Sequence, residues 1–227
     1  MRVIDFMSRC LESFEPPYLD KLRKACDDHG CIVTNLKCNQ KGLEIDSDDE
    51  ETRAHAIKIY KESIDAAHHL GARWIRPQIG AKGNIDRLVE SFRELIDYGA
   101  GKDISILIEN TGWISKDIGA IPHLIARVGP GLAASPDSGN WPDDATRYPG
   151  LEMAYPYAVT SDFKAFQLEP DLSHPKYDLE KCFQIGWDAG FRGPWCIEHF
   201  NTNLYGLLRG FTQIRDMLRG WIAQRVS

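Results

Sequence analysis

No apolar run in the 227-residue chain approaches the roughly 18 residues needed to cross a bilayer as a helix. The opening residues, MRVIDFMSRC, lack the apolar core of a secretory signal. Basic residues are in the minority: 27 Lys and Arg against 33 Asp and Glu, a net charge of −6. A nucleic-acid surface would show the reverse balance. The six cysteines (Cys10, Cys26, Cys31, Cys38, Cys182 and Cys196) form no CxxC pair, so a thiolate zinc cluster is not expected. Several lie inside apolar runs, as free and mostly buried thiols in a reducing cytoplasm do.

What is present is alternation. Short apolar runs at residues 3–6, 31–37, 74–78, 104–109, 132–137, 158–166 and 194–198 read as buried parallel strands, which helices cover from outside. Helical patterns lie between them. Asn84 is a candidate N-cap, followed by Ile85, Leu88, Val89, Phe92, Leu95 and Ile96 at helical spacing. Residues 49–70 form a second helix that stops at Gly71, 19–29 a third that stops at Gly30, and 179–189 another that stops at Gly190. Residues 204–219 close the chain as a helix. The acidic stretch 46–51 reads as the solvated first turn of a helix, and 139–149, rich in Pro and Asp, as a loop at the mouth of the fold. With no break in composition, residues 1–227 read as one α/β domain, a TIM-type (β/α) barrel with seven strands visible and the first strand lacking. Either a strand stands upstream or the sheet keeps two edges that need covering.

Four acids end four of these runs: Glu109 in ISILIEN, Asp137 in GLAASPD, Asp162 in YAVTSDFK and Glu198 in PWCIE. They are about one strand–helix repeat apart, so a barrel brings them to its C-terminal mouth. Four carboxylates gathered there repel unless a cation sits among them. All-oxygen ligation suits Mn²⁺ or Mg²⁺ better than Zn²⁺. Such a metal, chelating the carbonyl and hydroxyl oxygens of a sugar, stabilises the enediolate left by proton loss. Glu109 and Glu198, across the barrel from each other, are the natural acid and base. Lys164 is placed to polarise the carbonyl or relay a proton, or serves as a counter-charge. Period-2 alternation turns Leu107 and Ser105 inward with Glu109, Thr160 and Lys164 with Asp162, and Cys196 with Glu198. Gln78 and Arg76 share a strand face that can line the mouth. Asn110 can bind substrate or cap a loop, and Asn140 reads as a cap. Trp113 and Trp141 are placed to stack on a sugar or to pack, and His174 lies in a loop that can reach the site.

The runs ILIEN, SPDSGNW, SDFKAF and WCIEHF resemble the strand-end motifs of the sugar isomerase/epimerase superfamily with the xylose isomerase-like TIM barrel, in order and from Val3 to about Met217. That family includes ketose 3-epimerases, hydroxypyruvate isomerase, inosose dehydratase and endonuclease IV. The resemblance implies metal ligands at Glu109, Asp137, Asp162 and Glu198, with the two glutamates as acid/base pair. It also implies a small carbohydrate substrate and a homodimer. Two departures stand out. The family's third ligand lies in a His-x-Lys pattern, replaced here by Asp162-Phe163-Lys164, which makes the site more anionic and favours Mn²⁺ or Mg²⁺. Restoring histidine at 162 is expected to keep or tighten metal binding. The family also opens with a strand and helix not seen here, so residues 3–6 align with its second strand.

No Gly-rich phosphate cradle follows the last runs, which points to an unphosphorylated sugar or polyol. Two other readings stay open: an inosose dehydratase-like lyase on the same site, and a degenerate barrel without catalysis. Endonuclease-type cleavage is disfavoured by the scarcity of histidines at strand ends and by the acidic charge.

Overall fold

Each strand is short and apolar on its outer face, and each is followed by a helix that can cover it. Parallel pairing with crossover helices is the arrangement that buries both. A computed structural model describes residues 2–39, 42–80 and 83–226. In it β1 (Val3–Met7), β2 (Ile32–Lys37), β3 (Trp74–Arg76), β4 (Ser105–Ile108) and β5 (Leu132–Ala134) form one parallel sheet in chain order. A second parallel pair consists of β6 (Ser161–Lys164) and β7 (Trp195–Glu198). Isolated bridges at Ala134–Ala158 and Asp137–Asp162 carry the pairing from β5 to β6. Outside lie α1 (Pro16–Asp28), α2 (Glu50–His69), α3 (Ile85–Ala100), α4 (Ala120–Val128), α5 (Asp144–Ala154), α6 (Leu179–Asp188) and α7 (Leu204–Val226). The result is an α/β barrel with seven strands among the described residues.

The barrel has a seam. No ladder joins β7 to β1 among the described residues, yet the two strands approach within 8 Å, Cα to Cα. An intervening strand would hold them about 9.5 Å apart. Side chains cross the seam instead: ligand atoms of Asp5, Asp162 and Cys196 lie within 4.8 Å of one another. The β1–β2 register slips between Ile4 and Asp5, so Thr34 is the extra residue of a bulge. Thr34 Oγ1 donates to Asp5 Oδ1 at 2.6 Å.

Strand alternation holds where it matters. Ile104, Ile106 and Ile108 pack into the helix-facing core, whereas Leu107, equally buried, stands outside that cluster and faces the barrel axis. Two apolar clusters result. One spans β1–β5 with α1–α4. The other, around β6, β7 and α5–α7, is aromatic, with Phe183 and Phe191 each 5.0 Å from Trp195 between ring centroids.

The structure departs from the sequence reading in three places. Residues 139–149 are not all loop, because α5 begins within them, with Asp143 Oδ1 accepting from Thr146 N at 2.9 Å as its cap. Pro149 sits inside that helix, and Leu151 and Tyr155 hold the segment by packing into the aromatic cluster. The last helix runs on to Val226. Asp46 is not a solvated helix turn. It is buried, with Oδ1 accepting from Gly80 N at 2.8 Å and Oδ2 from Trp113 Nε1 at 3.2 Å. The cap of α2 is Asp49, which accepts from Thr52 N. All six cysteines are free, and among the described residues no helix is long and apolar enough to cross a membrane.

Candidate metal centre at the barrel mouth

The ends of six strands converge at the C-terminal mouth. Lys37 ends β2, Arg76 ends β3, Glu109 follows β4, Asp137 follows β5, Asp162 and Lys164 lie in β6, and Glu198 ends β7. Oxygens of Glu109, Asp137 and Asp162 lie within 4.8 Å of one another, all three buried. Glu198 stands beside this group rather than in it, because Lys164 is between. Its Nζ is 2.8 Å from Asp137 Oδ2 and 3.3 Å from Glu198 Oε2. Arg76 Nη1 lies 2.8 Å from Glu109 Oε2, and Lys37 pairs with Asp162.

Local backbone chemistry aims these groups. Asn110 clamps the Asp137 main chain from both sides: its Oδ1 accepts from Asp137 N at 2.7 Å and its Nδ2 donates to Asp137 O at 2.9 Å. Asp137 Oδ1 accepts from Gly139 N and Asn140 N. That leaves Oδ2 toward the mouth, where Lys164 meets it as an ion-pair contact without hydrogen-bond alignment. A side chain at Gly139 would strike the Lys164 stem, with Cβ only 2.5 Å from its Cδ. Gly112, at φ +57°, sits so close to Gly80 that a Cβ would lie 2.2 Å from its carbonyl oxygen.

Burial in an acidic neighbourhood sets the charges. Burial, with Asp162 and Asp137 adding to it, pushes Glu109 up to about 8 despite Arg76. Burial also raises Asp137, against the pull of Lys164. Glu198 is raised by burial and by Asp137. Burial would raise Asp162 too, but Lys37, with Arg76, outweighs it and holds that carboxyl below its usual range. With Glu109 ionised, Asp162 Oδ2 has no hydrogen-bond donor among the described residues, whereas a proton on Glu109 lets it donate to Asp162.

These features fit a bound divalent cation. Five carboxylates (Asp5, Glu109, Asp137, Asp162 and Glu198) face three cations (Lys37, Arg76 and Lys164), so that with all five ionised two negative charges are uncompensated. With Glu109 ionised, as metal binding requires, the buried Asp162 Oδ2 has no hydrogen-bond partner among the described residues.

A cavity of ≈ 210 Å³ opens over the group, lined by Asn39, Arg76, Gln78, Glu109, Thr111, Asn140, Lys164 and Glu198. Of the residues singled out in the sequence, Arg76, Gln78, Glu109, Lys164 and Glu198 reach this cavity. Asn140 does so as well, accepting from Lys164 Nζ at 2.6 Å. Asp137 and Asp162, both fully buried, do not line it, and neither do four others. Asn110 is engaged with the Asp137 backbone. Trp113 donates to Asp46. Trp141 is buried against Gly150 in the aromatic cluster. His174 packs on Tyr177, ring centroids 4.0 Å apart, in a separate cleft near Trp221.

Lys37, Asp5, Asn39 and Thr111 were not anticipated. For Lys37 and Asp5 a signal existed: each is a charge inside a strand that helices cover, and Lys37 is in phase with Asn35, so alternation turns both inward. Asn39 and Thr111 follow strands in loops and carry no such mark.

No curated protein matches the chain. Among solved structures, the xylose isomerase domain protein from Planctomyces limnophilus superposes with a TM-score of 0.77 at 19% identity, over 98% of this chain and 89% of that one. An L-ribulose 3-epimerase superposes at 0.76 with 14% identity, covering 100% and 88%. A D-psicose 3-epimerase, crystallised in the presence of D-fructose, gives 0.74 with 14% identity, covering 98% and 87%. Identities this low speak for the fold. The family pattern described as xylose isomerase-like TIM barrel matches residues 4–224, and with the barrel and its strand-end acids in place, the chain belongs to that family.

Proposed function

We propose that this protein is a divalent-metal-dependent isomerase or epimerase that moves a proton on a small sugar or polyol through an enediolate. One observation carries the reading: the oxygens of Glu109, Asp137 and Asp162 meet within 4.8 Å at the mouth of the barrel. Glu109, Asp137, Asp162 and Glu198 would hold the ion, and an all-oxygen set favours Mn²⁺ or Mg²⁺ over Zn²⁺. When bound, the ion supplies electrostatic stabilisation of negative charge on adjacent substrate oxygens.

The chain's own residues do the rest. Asn39, Gln78, Thr111 and Asn140 offer the cavity hydrogen-bonding groups suited to hydroxyls. Glu198, about a third exposed and opening onto the cavity, takes the proton from substrate carbon. Glu109, which lines the same cavity, is the partner acid/base group, and its affinity for a proton, raised when no ion is bound, falls once it holds one. Lys164, held cationic by Asp137 and Glu198, is placed to polarise a substrate carbonyl. The name of the psicose epimerase relative supports a ketose as first substrate to test. Exposed Phe200, Leu204, Tyr205 and Leu208, which run into the start of α7, support a homodimer, checked by sedimentation.

A second reading is favoured by a different observation. Each strand-end carboxylate already has a protein cation beside it, as in a barrel that keeps its acids without metal and without turnover. Metal analysis of the purified protein, followed by assay with ketoses and Mn²⁺, separates the two. Bound metal with exchange of solvent deuterium into the ketose supports the enzyme. Neither metal nor exchange supports the inert barrel.

A further inference from the structure

Lys37 is buried inside the barrel and does not line the cavity. Its ammonium meets groups from three other strands: Asp162 on β6, Asp5 Oδ2 on β1 at 3.4 Å, and Cys196 Sγ on β7 at 3.5 Å. Asp5 is tethered in turn by Thr34 Oγ1, so the ammonium is held from behind by a carboxylate that cannot swing away. In front, Lys37 takes Oδ1 of Asp162. With Glu109 ionised, Oδ2 of the same residue has no hydrogen-bond partner among the described residues, and Asp162 is fully buried beside Glu109 and Asp137. One oxygen is therefore fixed by the protein and the other is left for the metal group.

The charges are matched as well. An aspartate where a neutral imidazole would serve adds one negative charge, and the ammonium beside it removes one. We infer that Lys37 is a positioning residue for the metal, turning Asp162 Oδ2 toward Glu109 and Asp137 and offsetting part of the negative charge that an aspartate brings to this ligand position. The inference rests on the metal-dependent reading above.

It reverses an expectation drawn from sequence alone. Asp162→His by itself leaves the buried ammonium next to the ligand position with Asp5 as its remaining carboxylate among the described residues, and leaves one uncompensated negative charge where there were two. Replacing Lys37 by Met, an unbranched side chain that fills the stem's space, restores two. Mn²⁺ dissociation constants, read from the electron paramagnetic resonance of free Mn²⁺, are compared for wild type, Asp162→His and Asp162→His/Lys37→Met. Urea unfolding checks that each is folded. Asp162→His should lose about ten- to a hundredfold in affinity, and the double variant should recover most of that loss. Should the histidine variant not fold, Asp162→Asn with and without Lys37→Met makes the same comparison in an isosteric pair. Equal affinity with and without Lys37, or a double variant that unfolds where the single one folds, overturns the inference. Wild-type protein that takes up no Mn²⁺ overturns the metal reading itself, a separate and recognisable result.

Discussion

At the scale of single residues, Glu198 and Gly139 carry different burdens. Glu198→Gln keeps the shape and the hydrogen bonds but removes a base, so turnover should fall by about 10²–10⁴-fold with an unchanged circular dichroism spectrum. Retained turnover would reject Glu198 as the base. Gly139→Ala tests the support beneath it. The added methyl meets the Lys164 stem at 2.5 Å and the Tyr177 hydroxyl at 2.8 Å, so Lys164 must leave Asp137 and Glu198 or the turn must shift. Overpacking of this kind costs about 1–3 kcal/mol, to be read from the urea midpoint. The four strand-end acids were legible in sequence because each closes an apolar run. Lys37, which lowers the proton affinity of Asp162, carried a signal in its phase with Asn35, but which acids it meets is fixed only when β1 and β6 come together around it.

At the scale of elements, helices with caps and periodic apolar faces were readable. Asn84 accepts from Arg87 N as its position implies, and α2, α3 and α6 lie close to where their patterns put them. The helix α5 was not readable. Its Pro and Asp content argues for loop locally, and only burial of Leu151 and Tyr155 among aromatic side chains from later in the chain overrides that preference. Asp46 teaches the same lesson from the other side. In sequence it belongs to an acidic run, yet in the fold it ties together the loops after β2, β3 and β4. Asp46→Ala leaves the Gly80 and Trp113 N–H groups without their acceptor and should cost about 1–3 kcal/mol. A change of less than a few tenths of a kcal/mol in equilibrium unfolding would show that the clamp contributes little.

At the scale of the whole molecule, the barrel closes around more acid than base, and its stability should report that excess. Glu109 has a folded pKa of about 8 against an ordinary 4.5. The protonated form is the one the fold prefers. Its contribution is therefore full below pH 4.5 and is lost as pH rises through 8. Metal-free protein should unfold at progressively lower urea across that window. Mn²⁺ requires the ionised carboxylate, so it should release protons on binding in weakly buffered solution. At a hundredfold excess over the dissociation constant it should add about 2.7 kcal/mol. A metal-free midpoint that stays flat from pH 4.5 to 8, or Mn²⁺ uptake with no proton release, contradicts this account of the site.

By itself the sequence determined the repeat of strand and helix, the outward faces of the strands and the four acids at their ends. These follow from the spacing of apolar residues along one chain, a property that needs no distant partner. The tertiary structure alone decided which charges face those acids, how far Glu198 stands from the other three, and that side chains rather than a backbone ladder span the β1–β7 seam. Each of these depends on groups far apart in the chain, Lys37 with Asp162 and Asp5 with Cys196 among them. Electrostatic energies are set by distance and burial, and neither quantity exists until the barrel has closed.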